Sequence, residues 1–387
     1  MLKKLITVLL ICSLFVLTVR AENADAQVSV TQGPEVNCKS AILMERETGR
    51  ILYAKNENEA LPPASVTKVM TLLLIAEAIE EGRLSLDDEI AISQNAASMG
   101  GSQVFLEEGE RMRLEDVLKC TVIASANDAA VALAEHHSGS ESAFVDAMMR
   151  RAQELGLEGT KFENTTGLDD TTTQHVMCAK DIAVISRELL SHECIRKYAG
   201  LWQDSIRDGE FILTNTNRLV RYYPGCTGLK TGSTDKAGFC ISASAKRGEM
   251  ELIAVVMGAP TRDERNRIAR ELLDFGFASY GLYQDGGGYL EDADCIRGTK
   301  ASIPLWTDGF MTVVDKRDVN RIERIYDIPK EIQAPIEKGT VVGSVTYRLD
   351  GEDIGRADIY ANESVAGIGY GRLLIALVNF ILCGRAI

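Results

Sequence analysis

The chain has 387 residues, 45% hydrophobic and 25% charged, with 33 glycines and only 8 prolines. This composition excludes a collagenous, low-complexity or wholly disordered protein, and the length suggests two folded domains. With 42 Lys and Arg against 56 Asp and Glu the formal charge is -14, which argues against gripping nucleic acid, since phosphate binding needs a basic footprint. Only 4 histidines are present, and no Cys/His pair has zinc-finger spacing, so a structural zinc site is not expected.

Residues 1–26 read as a cleaved export signal. Lys3 and Lys4 give the basic start, Leu5 to Val19 is apolar apart from Thr7, Ser13 and Thr18, and Ala24-Asp25-Ala26 supplies a small-x-small cleavage site. An uncleaved anchor is the alternative. Export permits disulfides, but the eight cysteines that remain could pair in 105 ways, so no connectivity is read. Cys120 and Cys240 sit in apolar runs and are expected as free, buried thiols.

Two strands, SAILMERE and RILYAKN, flank a Thr48-Gly49 turn. Pro62-Pro63-Ala64-Ser65 then opens an apolar helix through Val66, Val69, Met70, Leu72, Leu73 and Ile75. Helices are predicted over 114–136, 141–155, 179–191 and 262–283, and strands at GLKTGST, AGFCISASAK and MELIAVVMGA within 226–260. Strands at both ends with helices between imply one sheet covered by helices, an α/β (α+β) catalytic-type domain over 35–283. Gln284-Asp285-Gly286-Gly287-Gly288 reads as a linker, and FMTVV, VVGSVTYRL and IGRADIYA as strands of a small all-β domain over 289–362.

The C-terminal stretch 366–387 contains the apolar run Leu373–Cys383 between Arg372 and Arg385. As a helix that run is about 16 Å long, roughly half a bilayer core, so it cannot cross a membrane. It is expected to lie in a membrane surface as an amphipathic helix, with Arg372, Asn379 and Arg385 towards water. Docking on the protein's own core is the alternative.

Three short strings carry the chemistry. In Ser65-Val66-Thr67-Lys68 the spacing i, i+3 puts the lysine amine on the serine's face of a helix. A neutral amine there can take the hydroxyl proton and make the serine a nucleophile. Ser233-Thr234-Asp235-Lys236 fits the same pattern but does not open an apolar helix. Ser125-Ala126-Asn127 ends the apolar run VLKCTVIA, where a hydroxyl and an amide need partners; Ser125 reads as a proton relay and Asn127 as a substrate positioner, or the two as a helix cap. In Lys230-Thr231-Gly232 a strand can dock an extended peptide, with Gly232 allowing close approach and Lys230 and Thr231 holding a carboxylate. A second ammonium near Lys68 would lower its proton affinity.

The ordered set S-x-x-K, S-x-N and K-T-G resembles the serine penicillin-recognising enzymes. With GGSQVFLEEGE, NTTGLDD, LKTGSTDKAGF and VVMGAPTRDERN, the chain from about Ser40 onward resembles the exported D-alanyl-D-alanine carboxypeptidases among the low-molecular-mass penicillin-binding proteins. The resemblance implies a β-lactamase/transpeptidase-like domain with an antiparallel sheet flanked by helices. It also implies a serine-type carboxypeptidase that removes the terminal D-alanine of peptidoglycan stem pentapeptides through an acyl-enzyme and is blocked by penicillins. By position it makes Ser65 the nucleophile, Lys68 its base, and Ser125, Asn127 and Lys230 the proton network. The Ser65 and Ser233 backbone N–H groups would form the oxyanion hole, and Thr231 and Arg265 would hold the terminal carboxylate. It places the protein at the outer face of the cytoplasmic membrane or in the cell-wall space. No metal or organic cofactor is implied. The chain departs from the family in carrying Ser233 after K-T-G where histidine is frequent, Cys178 where serine or threonine is usual, and Lys180 where arginine is frequent. A β-lactamase, a crosslink endopeptidase and a non-catalytic wall-binding scaffold are the rival readings. For the first, FENTTGLDDTTTQ offers Glu163 but lacks an E-x-x-N pattern.

Overall fold

The computed structural model describes residues 33–170 and 172–369, together with 371, 374, 375, 378, 381 and 382. The expected export signal at 1–26 lies outside the described residues. The N-terminal two-thirds is built around one antiparallel sheet. Strands β1 (Ser40–Glu45) and β2 (Ile51–Lys55) form its opening hairpin. The long helix α1 (Lys68–Glu80) follows, preceded by a single 3-10 turn over Ala64–Thr67. A mostly helical segment then runs through β3 (Glu89–Ala91), α2 (Gln94–Ala97), β4 (Arg111–Arg113), α3 (Leu114–Ile123), α4 (Asn127–Ser138), α5 (Glu141–Glu154), α6 (Ala179–Leu189) and α7 (Glu193–Ala199). The hairpin of β5 (Gln203–Ile206) and β6 (Phe211–Thr214) and the short α8 (Leu219–Tyr222) lead back to the sheet.

Strands β7 (Cys226–Thr234), β8 (Gly238–Arg247) and β9 (Met250–Ala259) complete the sheet in the order β2-β1-β9-β8-β7, so its two ends in sequence meet where β1 pairs with β9. Both faces are covered, which is why β9 is a nearly unbroken apolar run. Its side chains alternate: Ile253, Val255 and Met257 join the core under α1, α3, α4 and α6, and Leu252, Ala254 and Val256 join the core under α9 (Arg262–Ser279). Thr261 caps α9, its hydroxyl accepting from Glu264 N at 3.1 Å.

Two predicted helices differ in the structure. The helix expected over 114–136 is broken between α3 and α4, because Ser125 takes φ +62°, a left-handed conformation that stops helix propagation. The helix expected over 262–283 stops at Ser279; Tyr280–Asp285 is instead strand β10, paired residue for residue with β13 (Phe310–Asp315). Here cross-strand hydrogen bonding outweighs the local helical pattern.

The remainder is all β. Strands β11 (Gly288–Ile296), β12 (Ser302–Thr307), β14 (Glu323–Asp327), β15 (Glu331–Gln333), β16 (Val341–Leu349) and β17 (Glu352–Ala361) form one sheet in the order β14-β16-β17-β12-β11-β15. Its small core centres on Ile303, Leu305, Tyr347 and Ile359, with the Tyr347 ring stacked on Phe310 at 4.5 Å. At the junction with α9, Lys316 Nζ donates to the Phe277 carbonyl at 2.8 Å, and the Arg50 guanidinium donates to the Val313 carbonyl. No helix among the described residues is long and apolar enough to cross a membrane. The described residues from 371 onward are helical, and Leu374, Ile375, Val378, Ile381 and Leu382 are exposed.

Candidate active site

The three sequence strings converge on one cleft of about 440 Å³, whose lining includes Ser65, Ser102, Ser125, Thr231, Gly232, Ser233 and Arg265. Lys68, Asn127 and Lys230 lie directly behind it, each almost wholly buried. The residues of the three strings assigned to the site are therefore either in the cleft wall or directly behind it.

Ser65 sits in the 3-10 turn that feeds α1, and Ala64 before it has φ +49°. Two non-glycine residues in left-handed backbone, Ala64 and Ser125, thus flank the nucleophile position. Such conformations cost about 1–3 kcal/mol each and persist only where the surroundings impose them. Gly232 on the edge strand β7 lies so close that a Cβ there would be 2.7 Å from Ser65 N and 2.9 Å from Val66 N. Only glycine lets the strand approach this near.

Lys68 Nζ is 2.9 Å from Ser65 Oγ and donates to Asn127 Oδ1 at 2.6 Å and to the Thr166 carbonyl at 3.0 Å. A neutral amine has two N–H bonds and one lone pair. Two carbonyls take the two N–H bonds, so the lone pair of the neutral amine is directed at the serine hydroxyl. Burial pushes the Lys68 amine well below the ordinary lysine range, the nearby Lys230 lowers it further, and Asp128 opposes both. Asn127 is held in turn, its Nδ2 donating to the Gly100 carbonyl at 2.7 Å.

Lys230 Nζ donates to Ser125 Oγ at 2.6 Å and to the Thr231 carbonyl at 3.1 Å. Its pKa is pushed down to about 7, first by burial and then by Arg265. Thr231 donates its hydroxyl to Thr216 Oγ1 at 2.8 Å. Arg265 is not a solvated helix residue: it is buried, and its guanidinium donates to Asn266 Oδ1 and the Cys240 carbonyl. Among the described residues the exposed Arg218 and Arg262, also in the cleft wall, make no side-chain hydrogen bond or ion pair. Among the described residues no carboxylate lines the cleft, so an acidic protein presents a cationic face here.

Glu163 is placed elsewhere. Its carboxylate accepts from Thr173 N at 2.8 Å and Gln174 N at 3.2 Å, and it is not in the cleft wall. The sequence reading missed Thr166, which acts through its carbonyl, and Gly167. The latter has φ +80°, and a Cβ there would lie 1.8 Å from Ala64 O. NTTGLDD contains both, but a backbone acceptor leaves no side-chain signature.

Comparison with known proteins agrees with this geometry. The D-alanyl-D-alanine carboxypeptidase family matches residues 26–261, and the C-terminal domain of penicillin-binding protein 5 matches residues 277–366. A D-alanyl-D-alanine carboxypeptidase of Bacillus subtilis, DacF, is 44% identical over 86% of this chain and 87% of its own length. The crystal structure of penicillin-binding protein 5 from Haemophilus influenzae superimposes with a TM-score of 0.75 at 30% identity, covering 87% of this chain and 99% of that one. Penicillin-binding protein D2 of Listeria monocytogenes, solved with ampicillin bound, covers 64% of this chain and all (100%) of its own, with a TM-score of 0.59 at 28% identity. The chain belongs to the D-alanyl-D-alanine carboxypeptidase family and is a serine-type DD-carboxypeptidase of the penicillin-binding class.

Proposed function

We propose that Ser65 is the acylated nucleophile and that Lys68, uncharged, is the base that takes its proton. The observation that carries this reading is the pair of carbonyls, Asn127 Oδ1 and Thr166 O, on the Lys68 amine. They occupy both N–H bonds of the neutral form and turn its lone pair to Ser65. Attack on the carbonyl of a terminal D-Ala-D-Ala amide forms the Ser65 ester and breaks the C–N bond. The leaving D-alanine amine is protonated through Ser125, whose hydroxyl is bonded to Lys230. Water then hydrolyses the ester and returns the hydroxyl. Negative charge on the carbonyl oxygen is met by the backbone N–H groups of Ser65 and Ser233, which flank the Gly232 contact. Thr231 and Arg265 receive the free carboxylate, and the edge strand β7 pairs with the stem peptide through its main chain.

The Listeria relative's complexes with ampicillin and cefotaxime support β-lactams as covalent inhibitors of this site. The position of Glu163 supports a slow-turnover peptidase over a β-lactamase that uses a glutamate to activate water. The protein works outside the cytoplasm after removal of residues 1–26, and its segment 366–387 rests on the membrane surface. Leu374, Ile375, Val378, Ile381 and Leu382 have the spacing of a single apolar helix face. The folded halves extend over 35–283 and 289–362.

Intact-mass spectrometry after excess penicillin tests the core of this reading. One stoichiometric adduct is expected, absent in Ser65→Ala, together with release of D-alanine from diacetyl-Lys-D-Ala-D-Ala. Unmodified wild-type protein would overturn it.

A further inference from the structure

A buried histidine that no step above uses is wired to the nucleophile turn. His175 is 5% exposed and packs edge-on against Phe162. Its Nδ1 is 3.0 Å from Glu163 N, and a backbone N–H can only donate, so Nδ1 accepts. The proton of the neutral ring is therefore on Nε2, which is 2.8 Å from Thr67 Oγ1 and donates to it. Thr67, having accepted that bond, donates its own proton to the Ala64 carbonyl at 2.9 Å. The chain of donors runs in one direction, from Glu163 N through His175 and Thr67 to Ala64. Burial keeps the ring neutral, its pKa pushed down to about 4 against the opposing charges of Glu163 and Asp169.

Ala64 is the left-handed residue immediately before Ser65. Its carbonyl also touches the Gly167 backbone, and Thr67 lies between Ser65 and Lys68 in the same turn. The segment holding His175 and the Thr166 carbonyl thus grips the nucleophile turn twice, once through Lys68 and once through Thr67. We propose that His175 is a positioning residue for acylation, holding through Thr67 the Ala64 carbonyl and so the turn that aims Ser65 at its base. This rests on Ser65 being the nucleophile, and it adds a residue whose effect falls on bond formation and not on substrate affinity.

The test separates the two ring nitrogens. In His175→Gln the side-chain amide reaches the position of Nε2 and keeps a donor for Thr67. In His175→Asn the amide reaches only the position of Nδ1 and keeps the acceptor for Glu163 N. The second-order rate of Ser65 acylation by a fluorescent penicillin is measured for both, with kcat and KM on diacetyl-Lys-D-Ala-D-Ala. His175→Gln is expected within about threefold of wild type and His175→Asn about tenfold or more slower, with kcat falling and KM unchanged. A histidine that merely anchors its loop gives the reverse order, since Asn preserves that anchor, and this result would overturn the proposal. If both variants unfold, Thr67 decides: Thr67→Val is expected about tenfold slower and Thr67→Ser restored. Wild-type acylation by Thr67→Val would refute the relay. Should wild-type protein itself take no penicillin, the assignment of Ser65 fails, a result distinct from equal rates among acylating variants.

Discussion

Lys230→Met should stabilise the fold at pH 6 while disabling the enzyme. The Lys230 amine is buried and its pKa falls from an ordinary 10.5 to about 7. Folding that ammonium therefore costs roughly 5 kcal/mol at pH values below 7. Between pH 7 and 10.5 the unfolded chain binds this proton and the folded chain does not, so wild-type stability rises with pH across that window. Methionine fills nearly the same volume without the charge, but it leaves the Ser125 hydroxyl and Thr231 carbonyl without the amine, which costs about 1–3 kcal/mol. At pH 6 the variant should be more stable by roughly 2–4 kcal/mol, a rise in melting temperature on the order of 5 °C. By pH 10 that advantage should vanish or reverse. Penicillin acylation should fall about 100-fold, because the partner of Ser125 is gone at every pH and, below pH 7, so is the charge beside Lys68. Thermal melts of both proteins at pH 6, 8 and 10, at matched ionic strength, measure the first effect. A melting-temperature difference that does not change with pH would show that Lys230 is not a buried, disfavoured ammonium, and the electrostatic account of the site would fail with it.

Gly167→Ala should cut the acylation rate about 100-fold with little change in KM, since a methyl 1.8 Å from Ala64 O must displace the nucleophile turn; stopped-flow acylation reads this directly. Arg265→Gln should raise KM for carboxylate-terminated peptides about tenfold while an amidated substrate is unaffected, as steady-state kinetics will report. Glu163→Gln should leave the lifetime of the penicillin adduct within about twofold of wild type, because its carboxylate is bound to its own loop; time-resolved mass spectrometry checks it. Acylation should fall as pH drops, because Lys68 acts only when uncharged, and the fall should begin below the ordinary lysine range because burial lowers its pKa; a pH–rate profile tests the sign.

The sheet, its meeting of chain ends and the cleft residues were legible because each rests on a local signal. Alternation marked the β1–β2 hairpin, turn-bounded runs marked β7 to β9, and the Ser65-Lys68 and Ser125-Asn127 spacings marked side chains that the structure gathers around two buried amines, Lys68 and Lys230. The break at Ser125 was not legible: VLKCTVIASANDAAVALAE has continuous helical periodicity, and only tertiary contacts, including Asn127 N donating to the Ser102 carbonyl at 2.7 Å, force the left-handed residue. The strand β10 was hidden for a related reason. Tyr280–Asp285 continues the pattern of α9 in sequence, and its partner strand lies some distance further along the chain. Arg265 could not be distinguished from a solvated arginine until the fold buried it. Thr166, Gly100 and Ala64 contribute only carbonyls, so residue type carries no trace of their part.

The passage from α9 into β10 leaves no spare residue: the helix ends at Ser279 and the strand begins at Tyr280. Lys316 and Arg50 donate hydrogen bonds across the same seam, so this junction offers no free linker at which the two halves could bend. The radius of gyration should then be the same with Ser65 free or esterified.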